Sequence, residues 1–381
     1  MGVTDAPPTG RPLTVSMLLT DSFGGYGGIA KFNADFVGAL SASRATDRIR
    51  ILPRLRPEPT PDPLPEFVVI DRAAAGGKVA FARRVLAHAA SGSRPDLVIC
   101  GHLNLLPFGW LLARRHGAEL ALIIHGIEAW APHRSVVVRA LARRIDHLLA
   151  VSRYSRDRFV DWAQPQAVDA TILPNCVDLD RFVPVPRDPA LAARYGLGTA
   201  PVLLTMARLA AGERYKGIDE ILEVLPSLLG RRPDLRYLVV GDGDDRHRLE
   251  AKARDLGIAG SVVFTGRIPE NEKVAHYGLA DAFVMPSTGE GFGIVFIEAA
   301  ACGLPVIGSL ADGSRDALLD GRLGRLIDPG QPAALIAAIE GALADGRPAG
   351  RLPEVAHFGW DAFRARVDAW CGARRAALRR V

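Results

Sequence analysis

PVLLTMARLAAGERYKGIDEILEVLPSLLG, residues 201–230, reads as a strand, a loop and a helix in succession. The run PVLLTM is apolar without alternation, as a strand buried on both sheet faces must be. IDEILEVLPSLLG places apolar residues three and four apart and closes on Gly230. The same alternation continues downstream. RYLVVGDG, SVVFTGR, DAFVMPS and PVIGS have strand character, and DRHRLEAKARDLG, ENEKVAHYGLA and IVFIEAAACG have helical spacing. The first half repeats the theme with LTVSMLLT, RIRILPRL, FVVI, DLVICG, LALIIHG, HLLAVS and ATILPN, several of them separated by helices such as IAKFNADFVGALSAS. Strands alternating with helices imply right-handed crossovers and open parallel sheets, so the expected class is α/β with two doubly wound domains. The prolines between Pro184 and Pro189 put the boundary near residue 185, giving domains 1–185 and 186–357 with a terminal segment 358–381. Ligands of such sheets bind beyond the carboxyl ends of the strands, and two sheets facing each other would form a cleft from opposed loops.

A chain of 381 residues that is 49% hydrophobic and 23% charged can bury two full cores. Its net charge of +5 suits anionic partners in general and selects none. Cys100, Cys176, Cys302 and Cys371 are far apart, without C-x-x-C or a nearby His pair, which argues against a zinc site or disulfide framework and for a reducing cytosol. No signal-like apolar segment opens the sequence, and no run reaches the length of a membrane span. With an aromatic content of 7% and no aromatic-basic stacking surface, nucleic acid is not an expected partner.

Two stretches carry candidate chemistry. In STGEGFGIVFIEAAACGLP (residues 287–305), Glu290 lies in a glycine loop and Glu298 inside an apolar helix. Glu298 either points outward from an amphipathic helix or accepts hydrogen bonds from a ligand, since a carboxylate amid Ile, Val and Phe is costly unless paired. In MARLAAGERYKGIDE, Arg208 and Lys216 flank a loop that opens a helix, an arrangement suited to a diphosphate. A third stretch, GGYGGIA (residues 24–30), fits the glycine fingerprint of a dinucleotide turn. That reading also needs an acid at the end of the next strand, where ILPRLR supplies Pro53 and Arg54 instead. His125 ends the strand LALIIHG, and Asn175 follows ATILP; the plain alternatives are a structural hydrogen-bonder and a turn residue.

The second half resembles the retaining glycosyltransferases of family 4, which have the GT-B architecture of two Rossmann-like domains facing each other across a cleft. The matching pieces are ARL…RYKG, VVGDGD, FTGRI, DAFVMPS, EGFGIVFIEAAACGLPVI and GRLGRLIDP; GGYGGIAKF, HGIE, VSRYSRDRF and LPNCVD match more loosely. The resemblance implies roles. Arg208 and Lys216 would hold the nucleotide diphosphate as leaving group, Glu298 the ribose hydroxyls, and Glu290 the donor sugar. Backbone around Gly291, Phe292, Gly293 and Ile294 would orient sugar and phosphate, with Gly241, Gly266 and Arg267 bordering the base. Gly24, Gly25, Gly27 and Gly28 would approach the diphosphate from the first domain, where only glycine admits so close a backbone. His125 would reach the donor sugar, Asn175 would mark the interdomain crossing, and the final helix would pack back onto the first domain. Cys176 stands where the family usually has glycine, and DGSRD (residues 312–316) replaces the common G-G-x-x-E.

The expected reaction is therefore transfer, with retention, from a UDP- or GDP-linked sugar to a hydroxyl of a glycan or lipid-linked glycan. No resident cofactor is implied, and no cluster of metal-ligand type stands out. Arg134, Arg139, Arg143 and Arg144 in HRSVVVRALARRIDHLL read either as a solvated basic face or as an anchor on anionic lipid at the inner membrane face. Two competing readings are a nucleotide-sugar epimerase of the same architecture and a non-catalytic nucleotide-sugar binder.

Overall fold

The computed structural model describes residues 11–20, 27–55, 64–166 and 168–377. They form two compact units, the first reaching Cys176 and taking back the chain from Trp360 onward, the second spanning Val177–Gly359. The division falls at Cys176/Val177, where the prolines of the sequence suggested residue 185.

The first unit holds strands β1 (Leu13–Leu19), β2 (Thr46–Pro53), β3 (Val68–Ile70), β4 (Leu97–Cys100), β5 (Glu119–Ile124), β6 (His147–Ala150) and β7 (Asp169–Ile172). They lie in the order β3-β2-β1-β4-β5-β6-β7 with parallel ladders. Met17 at the centre of β1 faces Ile51 on one side and Ile99 on the other, and all three are fully buried. The terminal helix Trp360–Ala377 belongs to this unit. Phe363 meets the ring of Phe32 edge-on at 5.9 Å, and Arg374 pairs with Asp169 at 2.7 Å.

The second unit holds β8 (Val202–Met206), β9 (Arg236–Val240), β10 (Val262–Gly266), β11 (Ala282–Val284), β12 (Val306–Ser309) and β13 (Arg325–Ile327), in the order β10-β9-β8-β11-β12-β13. Every residue of β8 is buried, as its unbroken apolar run requires. Thr205 is the exception in polarity, and it is satisfied by the hydroxyl of Tyr237 at 2.8 Å. The helix Ile218–Leu229 lays Ile218, Ile221, Leu222, Leu225 and Leu228 into the core, one stripe at helical spacing. In each sheet the strand order reverses beside the first strand, between β1 and β4 and between β8 and β11. Loops diverge at that point and leave room for a ligand.

Candidate active site at the carboxyl ends of the second sheet

The loops after β8, β9, β11 and β12 are stacked backbone on backbone. Gly241 has φ +140°, and a Cβ there would come within 1.8 Å of the Ala207 carbonyl; one at Gly243 would come within 2.1 Å of the Leu209 carbonyl. Glycine is required at both positions by space. The next layer is as close. A Cβ on Gly217, φ +82°, would sit 2.6 Å from the Pro286 carbonyl, and one on Gly289 would sit 2.5 Å from the ring of Tyr215. The Thr288 N–H donates to the Tyr215 carbonyl at 2.8 Å. Outside this stack, the loop from Arg208 to Lys216 is tied down by ion pairs. Arg214 reaches Asp245 at 2.9 Å, and Arg248 joins Asp245 to Asp219, each at 2.6 Å. Burial works against the Asp219 carboxylate, yet hydrogen bonds from Arg248 and Lys252 bring its pKa down to about 2.

This stack brings Lys216 to Glu290, Nζ to Oε1 at 2.6 Å, with both side chains largely buried. Burial disfavours the Lys216 ammonium; the charge and hydrogen bond of Glu290 outweigh it and leave its pKa above the ordinary lysine value. Glu213 accepts from Arg208 and lies 3.8 Å from Lys216. Arg208 itself is exposed, 72% of its side chain being open to solvent. Two cations thus stand beside a sheet end, each matched by a carboxylate.

Glu298 projects from the helix Ile294–Ala301, whose N-cap Gly293 has φ +84°. The alternative of an outward-facing Glu298 is overturned: its side chain is 2% exposed. Tyr277 donates its hydroxyl to Oε2 at 2.8 Å, and Lys273 Nζ lies 3.2 and 3.4 Å from the two oxygens. Burial, and after it the neighbouring Glu298, push the Tyr277 pKa well above its ordinary value, so the phenol keeps the proton it donates. Phe292 is buried against Phe358, with centroids 5.4 Å apart. Gly266, φ +75°, bridges to Gly241, and the adjoining Arg267 is exposed.

Behind Glu290 lies Asp312, fully buried. Its carboxylate accepts from Ser287 Oγ at 2.7 Å, the Glu290 N–H at 2.8 Å and the Ser314 N–H at 2.9 Å. Burial lifts its pKa to about 6 against the hydrogen bonds that hold it down.

The remaining expected residues belong to the first unit. Gly24 and Gly25 lie outside the described residues. Gly27, φ +104°, caps the helix Gly28–Ala42. A Cβ there would meet nothing within 4 Å, so conformation rather than close approach demands glycine at this position within its unit. His125 follows β5, its Nε2 3.1 Å from the Gly101 carbonyl and its ring 5.1 Å from Phe32. Burial lowers its pKa while Glu128, which accepts from its backbone N–H at 2.6 Å, acts in the opposite direction. Asn175 is buried after β7. Among the described residues, no group of three His, Cys, Asp or Glu side chains is placed to hold a metal ion, and no helix is long and apolar enough to cross a membrane.

Glu213, Lys273, Tyr277 and Asp312 were not singled out in the sequence. Lys273 and Tyr277 are four apart on one short helix and therefore share a face, a local signal that was available. Asp312 was noticed only as a departure in DGSRD.

Known proteins match along most of the chain. The model of glycosyl transferases group 1 matches residues 192–356, and that of Glycosyltransferase Family 4 matches residues 26–181. A GDP-mannose-dependent alpha-(1-6)-phosphatidylinositol monomannoside mannosyltransferase of Mycolicibacterium smegmatis is 38% identical over 280 residues, covering 70% of this chain and 72% of the relative. Its namesake from Mycobacterium tuberculosis strain H37Rv is 30% identical over 377 residues, covering 90% and 93%. In fold, the chain is similar to a sucrose-phosphate synthase from Thermosynechococcus elongatus, with TM-score 0.69 and 22% identity, covering 96% of this chain and 98% of that one. This chain belongs to glycosyltransferase family 4, has the GT-B fold, and is a glycosyltransferase that uses a nucleotide-sugar donor.

Proposed function

We propose that this chain is a metal-independent, retaining hexosyltransferase that moves mannose from GDP-mannose to a hydroxyl of a lipid-linked glycan or polyol. The donor and acceptor class rest on the two mannosyltransferase relatives, whose names specify GDP-mannose and a phosphatidylinositol mannoside. One observation carries the site assignment: Lys216, held 2.6 Å from Glu290 at the β8–β11 switch point with Arg208 beside it.

On this reading the diphosphate settles against Arg208 and Lys216, exchanging places with the carboxylates of Glu213 and Glu290 as their counter-charge. Glu290 then takes the sugar hydroxyls near C3 and C4. Glu298 takes the ribose, and the backbone from Gly291 to Ile294 orients phosphate and sugar at the helix N-terminus. Breakage of the bond between C1 and the phosphate oxygen sends its electron pair to the diphosphate. Fixed cations stabilise that charge as it develops, the work a metal would otherwise do. The acceptor oxygen bonds to C1 on the face the phosphate leaves and passes its proton to the departing diphosphate. His125, Asn175 and the glycines at 27 and 28 are assigned to sugar and diphosphate by the family resemblance.

The test is turnover of GDP-mannose and UDP-glucose with a phosphatidylinositol mannoside acceptor, in buffer with and without EDTA. Mannose transfer with an α-linked product and no EDTA effect is expected. The Arg208→Ala/Lys216→Ala double variant should lose about a thousandfold in kcat; near-normal turnover there would refute the assignment. Consumption of donor without acceptor would favour the epimerase reading instead.

A further inference from the structure

Glu290 is gripped by its backbone as well as by Lys216. Its N–H donates to Asp312 Oδ2 at 2.8 Å, and its carbonyl accepts from the Gly313 N–H at 2.8 Å. Adjacent residues of one turn therefore hold both polar groups of one peptide residue. The two backbones are in contact, for a Cβ on Gly313 would lie 2.1 Å from the Gly291 carbonyl. Oδ2 also takes the Ser287 hydroxyl at 2.7 Å, while Oδ1 takes the Ser314 N–H at 2.9 Å and lies 2.6 Å from the Ser314 hydroxyl. A carboxylate offers two oxygens that each accept more than once, which no neutral side chain does. Its hydrogen-bond donors are two hydroxyls and two backbone N–H groups, none of them a cation. Burial of a carboxylate without a cation is costly, so its presence calls for a return elsewhere.

We propose that Asp312 is a positioning residue for sugar transfer: it pins the loop Ser287–Glu290 so that the Glu290 carboxylate, once the diphosphate has taken its place beside Lys216, is aimed at the donor sugar. The proposal deepens the function assigned above and rests on the reading of Glu290 as the sugar contact. Asn at 312 would keep the size and lose the pin, because one of the two backbone N–H groups would then face an NH2.

Asp312→Asn is expected to lower kcat about 10- to 100-fold, the cost of a reacting group displaced by a fraction of an ångström to an ångström. KM for the donor should move less than about threefold, and GDP, which lacks the sugar, should bind within about threefold of wild type. The discriminating measurement is the double variant. If Asp312 acts through Glu290, then Glu290→Gln/Asp312→Asn turns over within about threefold of Glu290→Gln alone. Multiplying losses, lost GDP binding or an unchanged kcat in Asp312→Asn would each overturn the role of Asp312. Wild-type turnover in Glu290→Gln would instead sink the reading of Glu290, and this proposal with it. Should Asp312→Asn not fold, Ser287→Ala takes one donor from the same carboxylate and leaves every backbone contact. It should cost about three- to fivefold in kcat, and an unchanged kcat there overturns the proposal.

Discussion

Replacing Lys273 by Met isolates what the buried Glu298 depends on. The carboxylate is 2% exposed and accepts from the Tyr277 hydroxyl at 2.8 Å and from Lys273 Nζ at 3.2 and 3.4 Å. Met fills the aliphatic volume of the lysine stem, so packing is kept and the charge is lost. Removing one partner of a buried ion pair costs roughly 3–5 kcal/mol. Here Tyr277 continues to donate and the Lys273 side chain is 22% exposed, which brings the expected loss to or below the bottom of that range, about 2–3 kcal/mol. For a unit of this size each kcal/mol shifts the midpoint by about 2–4 °C, so the transition of the second unit should fall by roughly 5–10 °C. Calorimetry and urea titration of the full chain read it. The control is Lys273→Met/Glu298→Gln, in which the stranded charge is gone and the amide oxygen still accepts from Tyr277; it should recover more than half of the loss. Lys273→Met within about 0.5 kcal/mol of wild type would refute the reasoning, since a carboxylate this enclosed would then be sustained by something other than the lysine.

Three further outcomes follow from the geometry. Asp312 has its pKa raised from 3.8 to about 6, so the folded state binds its proton more tightly than the unfolded state. The stability it contributes is complete below pH 4 and is lost as pH rises through 6, about 3 kcal/mol across that window; the difference between wild type and Asp312→Asn in urea midpoint should follow that course, and a flat difference would contradict it. Gly313→Ala puts a methyl 2.1 Å from the Gly291 carbonyl, which should destabilise the second unit by about 1–3 kcal/mol and lower turnover, measured by melting and by initial rate. Val136 and Val137 are 67% and 58% exposed beside Arg134 at the start of the helix Val136–Ala142, so binding to vesicles containing an anionic lipid should be salt-sensitive and should drop at least about tenfold in Val136→Glu/Val137→Glu. Absence of binding at low salt would leave the basic segment a solvated face. Arg139 turns one guanidinium nitrogen to the carbonyls of His133 and Arg134 and keeps its charge beside that segment.

The sheets were legible because their signal is local. PVLLTM, RYLVV and LTVSMLL are unbroken apolar runs, and the chain buries them on both faces. β13 escaped notice because Arg325 opens a strand of three residues set among glycines and charges. The two glutamates of the glycine loop and apolar helix were legible as chemistry, since a carboxylate in such company needs a reason. Their partners were not. Lys273 lies 25 residues before Glu298, and Asp312 lies 22 after Glu290; each is brought there by sheet order, which no local period encodes. The same holds for Glu213, which sits in a loop whose length was visible and whose fold was not. Within the protein, close backbone contact demands glycine at Gly241 and Gly243, and the dihedral angle demands it at Gly27.

The helix Trp360–Ala377 completes the first unit with residues that leave the ribosome after the whole second unit. Phe32 and Phe36 stay uncovered until Phe363 and Trp370 arrive. Synthesis therefore produces the second unit whole while the earlier-made one is still waiting for its lid of aromatics. A stop codon after residue 359 would strip the nascent first unit of its seal and leave every residue of the second in place.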